Sequence, residues 1–149
     1  MYKSILVPTD GSEFSDAAVE EAAKLAKELG SKLVLFYAAP HYEPPLASEG
    51  LSAPNWPKDR ESAKKEREDH AQAVLASAAK KAKLPNSTLD RRFVVSNSPY
   101  EAILDAAKKF KCELIVMASH GRRGISGVLL GSETNKVLIH SKIPVLVVR

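Results

Sequence analysis

The sequence predicts a single doubly wound α/β domain, a five-stranded parallel sheet with helices on both faces. Five short runs rich in Val, Ile and Leu alternate with longer segments of helical period, giving the order β-α-β-α-β-α-β-α-β. The run Leu114-Ile115-Val116-Met117 is apolar on both faces, as a central strand is when helices cover both sides of a parallel sheet. The size agrees: a chain of 149 residues can bury roughly 68–70% of its unfolded surface, so its core needs no metal or disulfide.

The strands are expected at residues 2–8, 32–38, 89–95, 112–118 and 143–148. The first helix is expected at 13–29, with Phe14, Ala18, Ala22, Leu25 and Leu29 on its buried stripe and Gly30 placed to end it. The second, at about 59–83, repeats Ala63, Ala71, Val74, Leu75, Ala78 and Ala82 at similar spacing. Ser98-Pro99-Tyr100-Glu101 reads as a capping box with proline at the first helical position, opening a third helix that buries Ile103, Leu104, Ala107 and Phe110. A fourth starts near Ser132 and carries Val137 and Leu138. Residues 40–58 hold Pro40, Pro44, Pro45, Pro54 and Pro57, a spacing through which neither helix nor strand can run. They read as a long loop, either a surface connection or, given Trp56, a lid or partner contact.

The net charge of +4 sits entirely in residues 58–92, where the signs are interleaved as on a solvated helix face. No aromatic residue stands among those basic side chains before Phe93, so neither a phosphate-binding stripe nor a single-strand stacking platform is expected, and no nucleic-acid partner. Lys3, Asp10 and Glu13 interrupt the first apolar segment, which removes a secretory signal. No apolar run approaches the roughly 20 residues that span a bilayer. Cys112 is the only cysteine and can form no internal bridge, as suits a reducing cytoplasm. His41, His70 and His140 lack paired ligand spacing, so no metal site is expected.

Function is concentrated in the glycines. Four of seven, Gly121, Gly124, Gly127 and Gly131, fall between the most apolar strand and the start of a helix. In an open parallel sheet ligands bind beyond the carboxyl ends of the strands. Glycine there lets backbone amides approach a phosphate, and Gly131-Ser132 brings a helix N-terminus whose dipole favours an anion. The alternative is a turn in which Ser132 only caps the fourth helix. Neither G-x-x-x-x-G-K-[ST] nor G-x-G-x-x-G is present; Pro8-Thr9-Asp10-Gly11-Ser12 follows the first strand instead.

That turn, the Ser119-His120-Gly121 turn, nine intervening residues, Gly131-Ser132 and the final Ile143-Pro144-Val145-Leu146-Val147-Val148 run together resemble the universal stress protein family over essentially the whole chain, 1–149. The family's nucleotide-binding pattern is G-x-x-G, nine residues, then G-[ST]; here Ala118 stands in place of the first glycine. The resemblance implies a Rossmann-like, adenine nucleotide α-hydrolase-like domain that binds ATP or another adenine nucleotide, with Mg2+ or Mn2+ as an ion that would accompany the phosphates. It implies that Pro8, Thr9 and Asp10 line the adenosine side, although Asp10 also suits a helix cap. It further implies that Ala38 reads the adenine edge through its backbone and that Met117 and Ala118 flank the ribose or base. His120, Gly121 and Arg122 would lie along the phosphates, with Gly131, Ser132, Glu133 and Thr134 at the helix start. Glu133 then either points away from the phosphates or faces an intervening divalent ion. Arg122 and Arg123 suit either a terminal phosphate or solvent.

No nucleophile with an orienting base is legible, no G-x-S-x-G occurs, and only Asp10 and Glu133 supply carboxylates to the site. The resemblance, taken with this lack of catalytic groups, implies a cytoplasmic, ATP-binding stress-response regulator with at most slow hydrolysis and no catalytic residues. The competing expectation is an interaction module of the same fold with no nucleotide. A receiver domain is disfavoured because Val94-Val95-Ser96-Asn97 supplies no phosphoacceptor aspartate. The resemblance also implies a homodimer that pairs the strand at 143–148 across a two-fold axis, since that run is too apolar for an exposed edge.

Overall fold

Ile5, Leu6 and Val7 are wholly buried, which places the first strand at the centre of the sheet rather than at a rim. The computed structural model describes residues 1–41, 60–121 and 130–149. Its elements run β1 (Ser4–Pro8), α1 (Glu13–Leu29), β2 (Lys32–Ala39), α2 (Arg60–Ala82), β3 (Leu89–Val95), α3 (Pro99–Lys109), β4 (Leu114–Ala118), α4 (Ser132–His140) and β5 (Val145–Val148), with a 3-10 turn at Asn86–Thr88. The five strands are parallel in the order β3-β2-β1-β4-β5. The doubly wound α/β expectation holds.

Strand alternation divides the core into two layers. Ile5, Val7, Leu33, Leu35 and Val116 face α1 and α2, while Leu6, Val34, Phe36, Ile115 and Met117 face α3 and α4. Phe36 is the largest fully buried side chain, at a site where truncation to alanine costs about 3–5 kcal/mol. Among the described residues no helix is long and apolar enough to cross a membrane.

Several boundaries move for local reasons. Tyr2 takes φ 51°, so β1 begins at Ser4. Lys83, at φ 52°, breaks α2 after Ala82. Cys112 donates its amide to Ala107 O at 2.8 Å, closing α3, so β4 starts only at Leu114. Ile143 turns onto Ser141 Oγ at 3.2 Å and Pro144 has no amide, so β5 starts at Val145. Beyond Pro40 and His41, the proline-rich stretch at 40–58 lies outside the described residues.

The buried stripe of α1 differs from expectation. Ser15, Ala18, Val19, Ala22, Ala23 and Ala26 face the sheet, whereas Phe14 is 50% and Leu29 41% exposed. Small residues let α1 lie close over the strands, and Phe14 turns toward the mouth of the cleft, its ring 6.0 Å from that of His120. In α3 the buried set is Ala102, Ile103, Ala106 and Ala107, with Leu104 and Phe110 only partly covered. In α4 Val137 is buried but Leu138 is 38% exposed.

Candidate functional site

From β1 the chain winds outward to β2, and from β3 it crosses to β4 and winds the other way. The loops leaving β1 and β4 therefore diverge, and a crevice opens between them at the carboxyl ends of the strands. It is a cleft of about 960 Å3.

One wall is the turn from Pro8 to Ser12. Gly11 adopts φ 80°, a left-handed conformation that strains any side chain, which explains the glycine. Asp10 Oδ1 accepts from the Ser12 amide at 2.9 Å, and Thr9 Oγ1 accepts from the Gly11 amide at 3.3 Å. Asp10 is thus not the cap of α1: Ser12 is, its Oγ accepting from Ser15 N at 3.2 Å. Ser15, buried in the first turn, ties this wall together. Its Oγ lies 3.1 Å from Thr9 Oγ1, donates to Ser12 O at 3.0 Å and accepts from the Asp10 amide at 3.4 Å.

The opposite wall is built from the end of β4 and the start of α4. Ser119 N donates to Val148 O at 2.8 Å, and Gly131 N donates to Ser119 O at 2.6 Å, so Ser119 is tied to β5 and Gly131 to Ser119. Thr134 Oγ1 donates to Ala118 O at 2.8 Å and fixes the first turn of α4 on β4. Ser119 Oγ lies 3.0 Å from His120 Nδ1. Both glycines stand at points of close approach. A Cβ on Gly131 would meet Ser119 O at 3.1 Å and His120 Cα at 3.3 Å; one on Gly121 would meet Asp10 Oδ2 at 2.8 Å. The Asp10 carboxylate therefore rests over Gly121, joining the two walls.

The expectation that Ser132 caps α4 is overturned. The cap position is Gly131, which has no side chain to offer, and Ser132 is the first helical residue. No described side chain caps this helix, and its N-terminus forms part of the cleft wall. The Glu133 carboxylate is engaged by α3 and by its own helix: Oε2 accepts from the Tyr100 amide at 2.9 Å and Oε1 lies 3.2 Å from Lys136 Nζ. The capping box at Ser98–Glu101 also fails. Ser98 makes no side-chain cap, its amide donates to Ser96 Oγ at 3.1 Å, and Glu101 instead accepts from the Tyr100 hydroxyl at 3.1 Å, which raises the phenol above its ordinary pKa.

The floor comes from β2. Phe36 O accepts from Thr9 N at 2.8 Å and Ala39 O from Ser96 N at 2.8 Å, so alternation turns the amide and carbonyl of Ala38 toward the β1 side. The β1–β2 ladder ends at Pro8 and Phe36, and Ala38 extends beyond it into the cleft. Every residue expected at the site, from Pro8, Thr9, Asp10 and Ala38 through Met117, Ala118, His120 and Gly121 to Gly131, Ser132, Glu133 and Thr134, lies on this one cleft. Arg122 is the exception and lies outside the described residues. Sequence reasoning missed Ser15, Tyr37, Ser96 and Asn97, which also line it. The Ser12-x-x-Ser15 spacing after the first strand was a usable signal for Ser15. Asn97, whose Oδ1 accepts from His41 N at 3.0 Å, arrives from a distant loop with no such signal.

The model of the universal stress protein family matches residues 1–149. The chain belongs to this family. A universal stress protein of Thermus aquaticus is 34% identical over 149 residues, covering the whole of both chains. Among solved structures, the universal stress protein UspA from Lactobacillus plantarum superposes with TM-score 0.77 at 26% identity, over 99% of this chain and 98% of its own. A universal stress protein solved in complex with cAMP is 30% identical with TM-score 0.71, over 99% of this chain and 97% of its own. The universal stress protein fold accounts for the position of the cleft, and the glycines and the Asp10 turn account for its shape.

Proposed function

We propose that the cleft binds an adenine nucleotide, ATP or a close relative, and that the protein acts as a nucleotide-binding stress-response regulator with at most slow hydrolysis. One observation carries this reading: the N-terminus of α4, which no described side chain caps, shares a cleft with the Asp10 turn, with glycine at the two points where a Cβ would intrude. Helix N-terminal amides suit phosphate oxygens, and a fixed carboxylate suits ribose hydroxyls. The solved relative in complex with cAMP supports the same class of ligand.

In this reading Pro8, Thr9 and Asp10 hold the adenosine side, and the Ala38 amide and carbonyl meet the adenine edge. Met117 and Ala118 flank the ribose or base. Gly121, Gly131, Ser132 and Thr134 supply backbone groups and a hydroxyl to the phosphates, with His120 and Arg122 beside them. Among the described residues no group of three His, Cys, Asp or Glu side chains could hold a metal, so Mg2+ or Mn2+ would arrive with the phosphates. We further propose a homodimer through β5, an edge strand on which Leu146 is 41% exposed, flanked by Leu138 at 38% and Ile139 at 66% on α4.

Mass spectrometry of gently purified protein, with calorimetry against ATP, AMP and cAMP, tests the reading. Co-purified adenine nucleotide or micromolar binding supports it. No nucleotide and no heat with any of the three would leave the non-nucleotide interaction module standing. ATP turnover at ordinary enzyme rates, lost in Asp10→Ala, would make the protein an enzyme instead.

A further inference from the structure

An acidic residue in the first turn of a helix ordinarily turns back toward that helix's own unpaired amides. Glu133 does not. Its Oε2 accepts from the backbone amide of Tyr100, in the first turn of the neighbouring helix α3, at 2.9 Å. The opposite oxygen is held by Lys136 at 3.2 Å, and the Lys136 ammonium also lies 5.4 Å from the centre of the Tyr100 ring. That ring packs in turn 5.5 Å from His140 at the far end of α4. Ser98, at the cap position of α3, makes no side-chain cap, which leaves the Tyr100 amide to Glu133; the Ser98 backbone is held by the Ser96 hydroxyl, which accepts from the Ser98 amide at 3.1 Å.

From this we propose that Glu133 is a positioning residue for the anionic part of the ligand: by capping α3 in trans it fixes the N-terminus of α4 over the cleft and keeps its own carboxylate off that helix's amides. The inference rests on the nucleotide reading above. It has an unusual consequence for mutation. Glu133 is a negative charge one residue into the helix that would receive a phosphate, so a purely electrostatic role requires every neutral substitution to tighten phosphate binding. A positioning role requires the opposite for any substitution that cannot accept a hydrogen bond.

Three proteins and two ligands separate these cases: wild type, Glu133→Gln and Glu133→Ala, each titrated calorimetrically with AMP and with adenosine, with hydrogen exchange of the Tyr100 amide followed by NMR. Gln keeps a carbonyl acceptor and loses the charge, so it should hold the Tyr100 amide and bind AMP as tightly as wild type or up to about twofold tighter. Ala releases the amide to faster exchange and should weaken AMP by about fivefold, the scale of a helix N-terminus acting on an anion. Adenosine, which lacks the phosphate, should bind all three alike; a general loss of fold would weaken both ligands together and overturn the proposal. Ala binding AMP as well as or better than wild type overturns the positioning role while leaving the nucleotide reading intact. Wild type binding neither ligand overturns the nucleotide reading and the positioning role with it.

Discussion

Gly131→Ala is the sharpest perturbation of the cleft because its cost can be worked from distances. Gly131 has φ −66° and ψ 154°, open to any residue, so backbone strain plays no part. The added methyl would meet Ser119 O at 3.1 Å and His120 Cα at 3.3 Å, so the closer contact falls about 0.3 Å short of ordinary van der Waals distance. Both obstacles are backbone, and Ser119 O is also the acceptor that staples Gly131 N at 2.6 Å. Overpacking of this kind costs about 1–3 kcal/mol, offset by about 0.4–1 kcal/mol from the stiffer unfolded chain. A net loss of about 1–2 kcal/mol lowers Tm by about 2–8 °C for a domain of this size. The larger effect falls on the ligand, since the α4 N-terminus must shift to relieve the contact. Losing the worth of one hydrogen bond to a charged group, about 1.5–3 kcal/mol, weakens AMP at least about tenfold. Gly121→Ala makes the informative contrast, because its 2.8 Å obstacle is the end of the Asp10 side chain, which can swing away. It should change Tm little while disturbing the ribose side. Calorimetry and thermal melts of both variants decide the matter; wild-type affinity in Gly131→Ala would refute the placement of the phosphates.

Further outcomes follow from other parts of the structure. Ser15→Ala removes the hydroxyl shared by Thr9, Asp10 and Ser12 and should cost about 1–3 kcal/mol, with weaker nucleotide binding, by chemical denaturation and calorimetry. Leu146→Lys should convert a dimer to monomers in sedimentation experiments while leaving the circular dichroism spectrum unchanged. Burial pushes the Cys112 thiol above its ordinary range, partly offset by a 3.5 Å contact with Ser4 Oγ. The unfolded chain then loses this proton first, so the thiol's contribution to stability is full below about pH 8.5 and falls as pH rises beyond it. Cys112→Ser should flatten that part of the stability profile.

What could be read from the sequence was what local chemistry decides. The bounds of α1 and β3 follow from local signals such as Gly30, whose φ of 68° ends α1 while its amide bonds to Ala26 O. Gly121 and Gly131 were legible as candidate cleft residues because they stand between the most apolar strand and a helix start, and both prove to lie at points of close approach. Periodicity showed that α1 is amphipathic but placed Phe14 and Leu29 on its buried face. The orientation depends on how near the helix can approach the sheet, and Ala22, Ala23 and Ala26 decide that in three dimensions. The caps of α3 and α4 were misread for a related reason. Ser98 stands at the cap of α3 but its hydroxyl makes no cap bond, Ser132 lies one residue inside α4, and the acceptor for the Tyr100 amide comes from Glu133, 33 residues away in sequence. Asn97 and Tyr37 join the site only because β2 and β3 run side by side.

The most direct test of nucleotide binding at this cleft is an amide chemical-shift map of the wild-type protein titrated with AMP. Shifts concentrated at Asp10, Ala38, Gly121 and residues 131–134 are expected, with those at residues 131–134 absent when adenosine replaces AMP. Saturating AMP that leaves these amides unmoved, or that moves a different surface, would contradict the proposed function.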